Sequence, residues 1–210
     1  MKASTAPEKR FRIWEAALLI GVAVFLVSGI LSMQTQKELS EKVIRLHVLA
    51  NSDSAEDQAL KLQVRDVILE RTTQLLEEAG DRRTAEGLLR GNLLELERLA
   101  EQEIRAHGFQ YSVNAEVSCT EFSTRTYDGF SMPAGEYLSL RVMIGEGNGQ
   151  NWWCVVFPPL CTAAATDLSM TALAAGFSED EVALITEEQD YILKFKTLEL
   201  WETLKRRWEK

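Results

Sequence analysis

The chain of 210 residues is 46% apolar and 26% charged, the proportions of an ordinary foldable protein, so wholesale disorder is excluded. Four prolines, twelve glycines and three cysteines are too few for a fibrous chain or for a disulfide scaffold that replaces a core. A formal net charge of -9 speaks against a nucleic-acid partner, because contact with a phosphate backbone needs surplus Lys and Arg.

Charge is segregated along the chain. Lys2, Lys9, Arg10 and Arg12 against Glu8 and Glu15 give residues 1–33 a net +2, which leaves -11 for the remainder. From Ala16 to Met33 (AALLIGVAVFLVSGILSM) no side chain is charged, and at a helical rise this stretch spans roughly 27 Å, close to the hydrocarbon thickness of a bilayer. Because the basic residues precede it, the N-terminus is expected to stay cytoplasmic. The reading is a basic cytoplasmic head over 1–15, a transmembrane or signal helix over 16–33, a short connector over 34–42 and an exported domain over 43–210. A small-x-small cleavage site is poor here, with Ser28, Gly29 and Ser32 interleaved with Ile30, Leu31 and Met33, which favours an uncleaved anchor.

In the expected exported part, Val43 to Ala50 alternates Ile44, Leu46 and Val48 against Arg45 and His47, the period of a half-buried strand. Asn51-Ser52-Asp53-Ser54 offers short oxygens to cap a following helix, and Glu56 and Asp57 suit the positive end of its dipole. The spacing of Leu60, Val64, Val67, Ile68 and Leu75 predicts a helix from about Ala55 to Ala79, with Gly80 as a left-handed C-cap. A second helix is expected from Thr84 to Gly108 along Leu89, Leu93, Leu96, Ala100 and Ile104, weakened by Gly87 and Gly91. The pair would form a hairpin on one face of a sheet.

Strict alternation from Tyr111 to Glu121 predicts a strand with one wet face, Tyr111, Val113, Ala115, Val117 and Cys119 lying on the other. Residues 122–136 read as irregular. Leu138 to Ile144 and Trp152 to Phe157 read as two strands joined through Gly145-Glu146-Gly147-Asn148-Gly149 as a hairpin, and Pro158-Pro159 ends the second. A short helix is expected to start at Ser178, and Leu198, Trp201, Leu204 and Trp208 mark a terminal helix over Tyr191 to Lys210. The fold class expected is α+β. One domain would hold a mixed or antiparallel sheet of about four strands, packed by a helical hairpin and a C-terminal helix, with one N-terminal hydrophobic helix ahead of it.

Few constellations carry chemistry. With His47 and His107 as the two histidines, a multi-histidine metal site is excluded, and no HExxH, nucleophile elbow, Walker loop or CxxC is present. No metal or cofactor is expected. The glycines at 145, 147 and 149 sit between two strands instead of opening a helix, which speaks against a phosphate loop. Cys154 and Cys161 flank VVFPPL and could pair outside the membrane, the alternatives being two buried free cysteines or a bridge from Cys119 to one of them. A nucleophilic Cys154 with His47 as base requires that the two meet. Asn51, Asp53 and Asp57 could serve as oxygen ligands or catalytic carboxylates, although capping explains them more simply. A tandem Trp on a strand sends its rings to opposite sides, so one of Trp152 and Trp153 should be available for contact.

Three stretches together resemble the stage II sporulation protein R family: Val43 to Leu69 (VIRLHVLANSDSAEDQALKLQVRDVIL), Pro133 to Leu140 (PAGEYLSL) and Gly145 to Cys161 (GEGNGQNWWCVVFPPLC). The resemblance covers roughly Val43 to Cys161, and the hydrophobic head agrees with it in kind. It implies a protein of endospore-forming bacteria, made in the forespore and exported into the space between the forespore and mother-cell membranes. There it would activate a mother-cell membrane aspartic protease that removes the pro-sequence of sigma factor E. It would be membrane-anchored through residues 16–33 or released by cleavage. The peptide-bond chemistry would belong to the partner, with no small-molecule substrate and no catalytic residues brought to this chain.

Arg45, His47, Asn51, Asp53, Arg65, Asp66, Trp152 and Trp153, the polar and aromatic groups inside those stretches, are the expected contacts with the protease's outward-facing part. The competing expectation is a cell-envelope hydrolase directed at peptidoglycan, working through Asp53, Asp57 or Cys154.

Overall fold

The computed structural model describes residues 14–16, 18–23, 34, 36–127, 129–161 and 168–186. The chain divides into two compact units, Met1–Lys37 and Glu38–Lys210. In the first, residues 14–16 and 18–23 are helical, and Trp14, Leu18, Leu19, Ile20 and Val22 are exposed. Residues 17 and 24–33 of the expected membrane helix lie outside the described residues. Among the described residues no helix is long and apolar enough to cross a membrane.

In chain order the second unit runs β1 (Ile44–Leu49), α1 (Ala55–Leu76), α2 (Arg82–Gly91), α3 (Leu93–Ala106), β2 (Val113–Phe122), β3 (Arg125–Tyr127), β4 (Phe130–Met132), β5 (Gly135–Ile144), β6 (Asn151–Phe157), α4 (Leu168–Ala174) and α5 (Glu179–Thr186). Four strands form one sheet in the order β2-β5-β1-β6. β1 pairs parallel with β5 and antiparallel with β6, and β2 pairs antiparallel with β5, so the sheet is mixed and the class is α+β.

The first sheet face is aliphatic. Ile44, Leu46 and Val48 of β1, with Leu140, Val142, Val117 and Val156 from the other three strands, pack against Leu60, Val64 and Ile68 of α1, Leu89 of α2 and Leu96, Ala100 and Ile104 of α3. Each such Val, Leu or Ile side chain taken out of water contributes about 2 kcal/mol. The expected second helix is two helices. The chain breaks at Asn92 (φ -116°, ψ 11°), whose amide donates to the Leu88 carbonyl at 2.7 Å, a side-chain bond that competes with the helical ladder just after Gly91. The left-handed cap expected at Gly80 is not formed, since α1 already stops at Leu76 with its C-cap Glu77 in the right-handed region. At the end of α3, Gly108 (φ 83°) does take that conformation. There Phe109 N–H bonds to Ile104 O and Gly108 N–H to Arg105 O, which satisfies two orphan carbonyls.

The hairpin expected between β5 and β6 is not there, because β1 lies between them. The glycine loop instead arches over the end of β1, where Gly149 N–H bonds to Ala50 O at 2.9 Å and Asn148 N–H to Asn51 O at 3.2 Å. A Cβ at Gly149 would collide with the Ser52 carbonyl, and Gly145, at φ 57°, presses against the Asn51 side chain. The glycines are there for close approach to β1, not for a two-strand turn.

The second sheet face is also covered, which corrects the half-buried reading of the first strand: all six β1 residues are buried. The stretch expected to be irregular holds the β3–β4 hairpin. Phe122, Phe130, Met132, Tyr137 and Val155 join Leu39, Phe177, Val182, Leu184 and Ile185 in a second core. The short helix expected at Ser178 is α5, closed by a reciprocal cap in which Glu181 N–H bonds to Ser178 Oγ and Ser178 N–H to Glu181 Oε2. Lys42 Nζ reaches Glu181 Oε2 at 2.6 Å and fastens residues 38–42, which are helical, to this end of the second unit. The edge strand β2 keeps one wet face, but Cys119, expected on its dry side, is exposed near the strand's end. The expected terminal helix over 191–210 lies outside the described residues.

Candidate partner-binding site

The turn that follows β1 is a closed polar network. Ser54 caps α1 by accepting from Asp57 N–H at 3.1 Å. Asp57, itself buried, accepts from Asn51 Nδ2 at 2.8 Å and from Ser52 Oγ at 2.6 Å. Burial opposes ionisation of Asp57, but hydrogen bonds from Ser52, Asn51 and Tyr111 together outweigh it and hold the carboxyl below its ordinary value. Asn51 Oδ1 also accepts from Glu146 N–H at 3.0 Å, and Asp53 Oδ1 accepts from Gln150 N–H at 2.7 Å. Lys61 Nζ donates to Gln58 Oε1 and to Gln150 O. Asn51, Asp53 and Asp57 are therefore the clamp that holds residues 145–150 over the first strand. They are expected contacts or ligands that the fold uses internally, and among the described residues no group of His, Cys, Asp or Glu could hold a metal ion.

Arg45 and His47 lie on the second face of β1. Register places Arg45 beside Ser139 and Val155, and His47 beside Arg141 and Trp153. Arg45 is completely buried, its guanidinium 4.0 Å from the Phe122 ring centre and 5.0 Å from that of Tyr137, with Nη2 donating to the Tyr127 hydroxyl at 2.7 Å. His47 stacks on Trp153 at 5.6 Å and meets Phe122 edge-on at 6.0 Å. Burial lowers the pKa of His47, and repulsion from Arg141 and Arg45 adds to it against an opposing Asn151 interaction, so the imidazole is neutral at pH 7. Arg141 pairs with Glu116 at 3.2 Å on the neighbouring strands. Arg125, from the β3–β4 hairpin, stacks on Trp153 at 3.6 Å.

The two tryptophans are both half-buried and lie on opposite faces. Trp152 belongs to the helix side, where Arg65 stacks on it at 5.0 Å while also pairing with the exposed Asp66. The eight expected contacts thus fall into three places: Arg45, His47 and Trp153 on the second face, Asn51 and Asp53 in the turn, and Trp152 on the helix side of β6 with Arg65 and Asp66 of α1 beside it. The sequence reading missed Arg125, Tyr127, Phe122, Tyr137 and Arg141, which complete the second-face group. The alternation of Ser139, Arg141 and Met143 in β5 was the one available signal for Arg141; the short hairpin strands offered none.

Cys154 and Cys161 are joined as a disulfide, their Cα atoms 6.2 Å apart, while Cys119 is free. Cys154 faces the helix-side core, register-paired with Leu46, so it neither carries a thiol nor meets His47 across the sheet. A Cys154–His47 nucleophile pair is excluded.

The family model described as stage II sporulation protein R matches residues 40–167. The stage II sporulation protein R of Bacillus subtilis (strain 168) is 33% identical over 147 residues, which is 69% of this chain and 66% of that protein, so the match spans just under two thirds of the relative's own length. No solved structure matches the chain. The matched region contains the whole sheet, the clamp at residues 51–57 and 145–150 and the arginine-bearing second face, and on these grounds the chain belongs to the stage II sporulation protein R family, a family of sporulation proteins.

Proposed function

We propose that the folded unit is an exported signal in endospore formation: it binds the outward-facing part of a mother-cell membrane aspartic protease and favours that protease's active state, so that pro-sigma-E is cleaved. A ligand shifts such an equilibrium only by binding the active state more tightly than the inactive one. Membership of the sporulation family carries the reading. Three observations support it. Leu18, Leu19, Ile20 and Val22 are exposed apolar side chains in an expected membrane segment. The Cys154–Cys161 bridge suits an oxidising compartment outside the cytosol. Asp53, Asp57 and Cys154, the groups expected of an envelope hydrolase, are engaged in the turn's hydrogen bonds and a disulfide.

The test is reconstitution. Co-production of the full chain, the protease and pro-sigma-E in a non-sporulating cell is expected to yield mature sigma factor, and omission of this chain to abolish it. Persistent lack of cleavage with all three partners correctly inserted overturns the proposal.

A further inference from the structure

On the second face the donors outnumber the acceptors offered to them. Arg carries five N–H bonds in one plane, yet among the described residues Arg45 Nε and Nη1 are buried without a hydrogen-bond partner. Phe122 and Tyr137 cover the guanidinium, but cation–π attraction acts through the flat face and leaves the in-plane N–H bonds unmet. Beside Arg45 on the same strand face lies the buried imidazole of His47, and Nε of Arg141 on the adjacent strand is likewise buried without a partner among the described residues. The carboxylate ion-paired to this group among the described residues is Glu116, through Arg141 Nη1. Folded proteins keep very few buried donors unpaired, and each one asks for an explanation such as a bound ion or ligand.

We propose that Arg45, His47 and Arg141 form a receptor for a carboxylate, delivered by an acidic side chain of a polypeptide that docks over Trp153 and the β3–β4 hairpin. The inference deepens the protein-ligand reading above and rests on it. Charge selects the occupant: in a chain of net charge -9, three arginines gather on one sheet face and the hairpin above it, and a guanidinium's planar fork matches a carboxylate's two oxygens. The surroundings select its delivery. Phe122, Tyr137 and Trp153 line the group, so a carboxylate carried in on an apolar stem fits better than a strongly hydrated free anion. Arg45 is fully buried, and entry requires the hairpin, three residues on each strand, to shift enough for Arg45 to exchange the Tyr127 hydroxyl for the incoming oxygen.

Full-length protein in detergent micelles is titrated with Ac-Ala-Ala-Glu-Ala-Ala-NH2, with its Gln counterpart and with inorganic phosphate, while guanidinium Nε–H and imidazole resonances are followed by NMR. Resonances of Arg45, Arg141 and His47 are expected to move saturably with the Glu peptide and at least about tenfold more weakly with the Gln peptide, the difference a charge-assisted bond confers. Arg141→Gln, at a half-exposed position, is expected to weaken the Glu peptide about tenfold; it and His47→Gln decide the matter even if Arg45→Met does not fold. An equal response to both peptides, or a response to phosphate in preference to either, overturns the proposal. The two readings fail separately: Glu-selective binding without protease activation sinks the activator reading, and protease activation without Glu-selective binding sinks the carboxylate receptor.

Discussion

The end of β1 and the middle of β1 both bury polar side chains, and they treat them in opposite ways. At the end, the Asp57 carboxylate accepts from Asn51 and Ser52, and Asn51 and Asp53 accept backbone N–H groups of the 145–150 loop. In the middle, Arg45 keeps two nitrogens buried and unpaired among the described residues. The two places lie a few residues apart in one family-like stretch, so sequence similarity alone gives them equal weight. Hydrogen-bond accounting separates them: a saturated network explains itself by the structure it holds, whereas an unsaturated one costs stability and calls for another use.

If saturation is what makes the turn structural, Asp57→Ala should be the most damaging change. It strands the Asn51 amide and the Ser52 hydroxyl together and is expected to cost about 3 kcal/mol in urea denaturation; a loss below about 1 kcal/mol would dissolve the contrast. Gly149→Ala drives a methyl into the Ser52 carbonyl and should cost about 2 kcal/mol by the same measurement. Ser54→Ala removes a single capping acceptor and should cost about 1 kcal/mol. Arg45→Met, by contrast, should leave stability within about 1 kcal/mol of the wild type or raise it, because the desolvation of a buried cation offsets most of what its Tyr127 hydrogen bond and ring contacts contribute. A large loss there would place Arg45 with the structural network.

The smallest effect is one of pH. His47 is held below its ordinary value by burial and by the neighbouring arginines, so the unfolded chain takes up a proton that the folded chain resists. The stability of the neutral form is complete above the unfolded value, about pH 6.5, and is lost as pH falls from there toward the lowered folded value. His47→Gln should therefore flatten the decline of the urea midpoint between about pH 7 and pH 5. Asp57 also loses its contribution as pH falls, but its window opens only beneath the ordinary carboxylate value, well below the pH at which the His47 decline begins.

Much of this architecture is legible in the sequence because periodicity reports burial. The alternation in 113–117 and 138–144 and the four-residue steps of Leu60, Val64 and Ile68 all reappear as core positions. Strand order is not legible in the same way. The glycines between β5 and β6 satisfy a hairpin and a crossing over β1 equally well, and the difference lies in Asn51 and Ser52, far away in the chain. Arg45 and His47 look like the wet side of a strand until the hairpin at 125–132 is known to cover them. That hairpin has three residues in each strand, too few for any period to emerge. The candidate site was half visible for the same reason: Arg45, His47 and Trp153 stood inside the family-like stretches, while Arg125 and Tyr127 came from the segment with no pattern.

The central position of β1 also bears on how the chain acquires its shape. Both partners of this early strand, β5 and β6, come from residues 135–157, so its backbone groups stay unpaired until almost the whole matched region has been synthesised. Such non-local pairing delays folding. Under the export proposed above, late closure of the sheet is an advantage: the helices after β1 have no finished surface to collapse onto until the last strands have crossed.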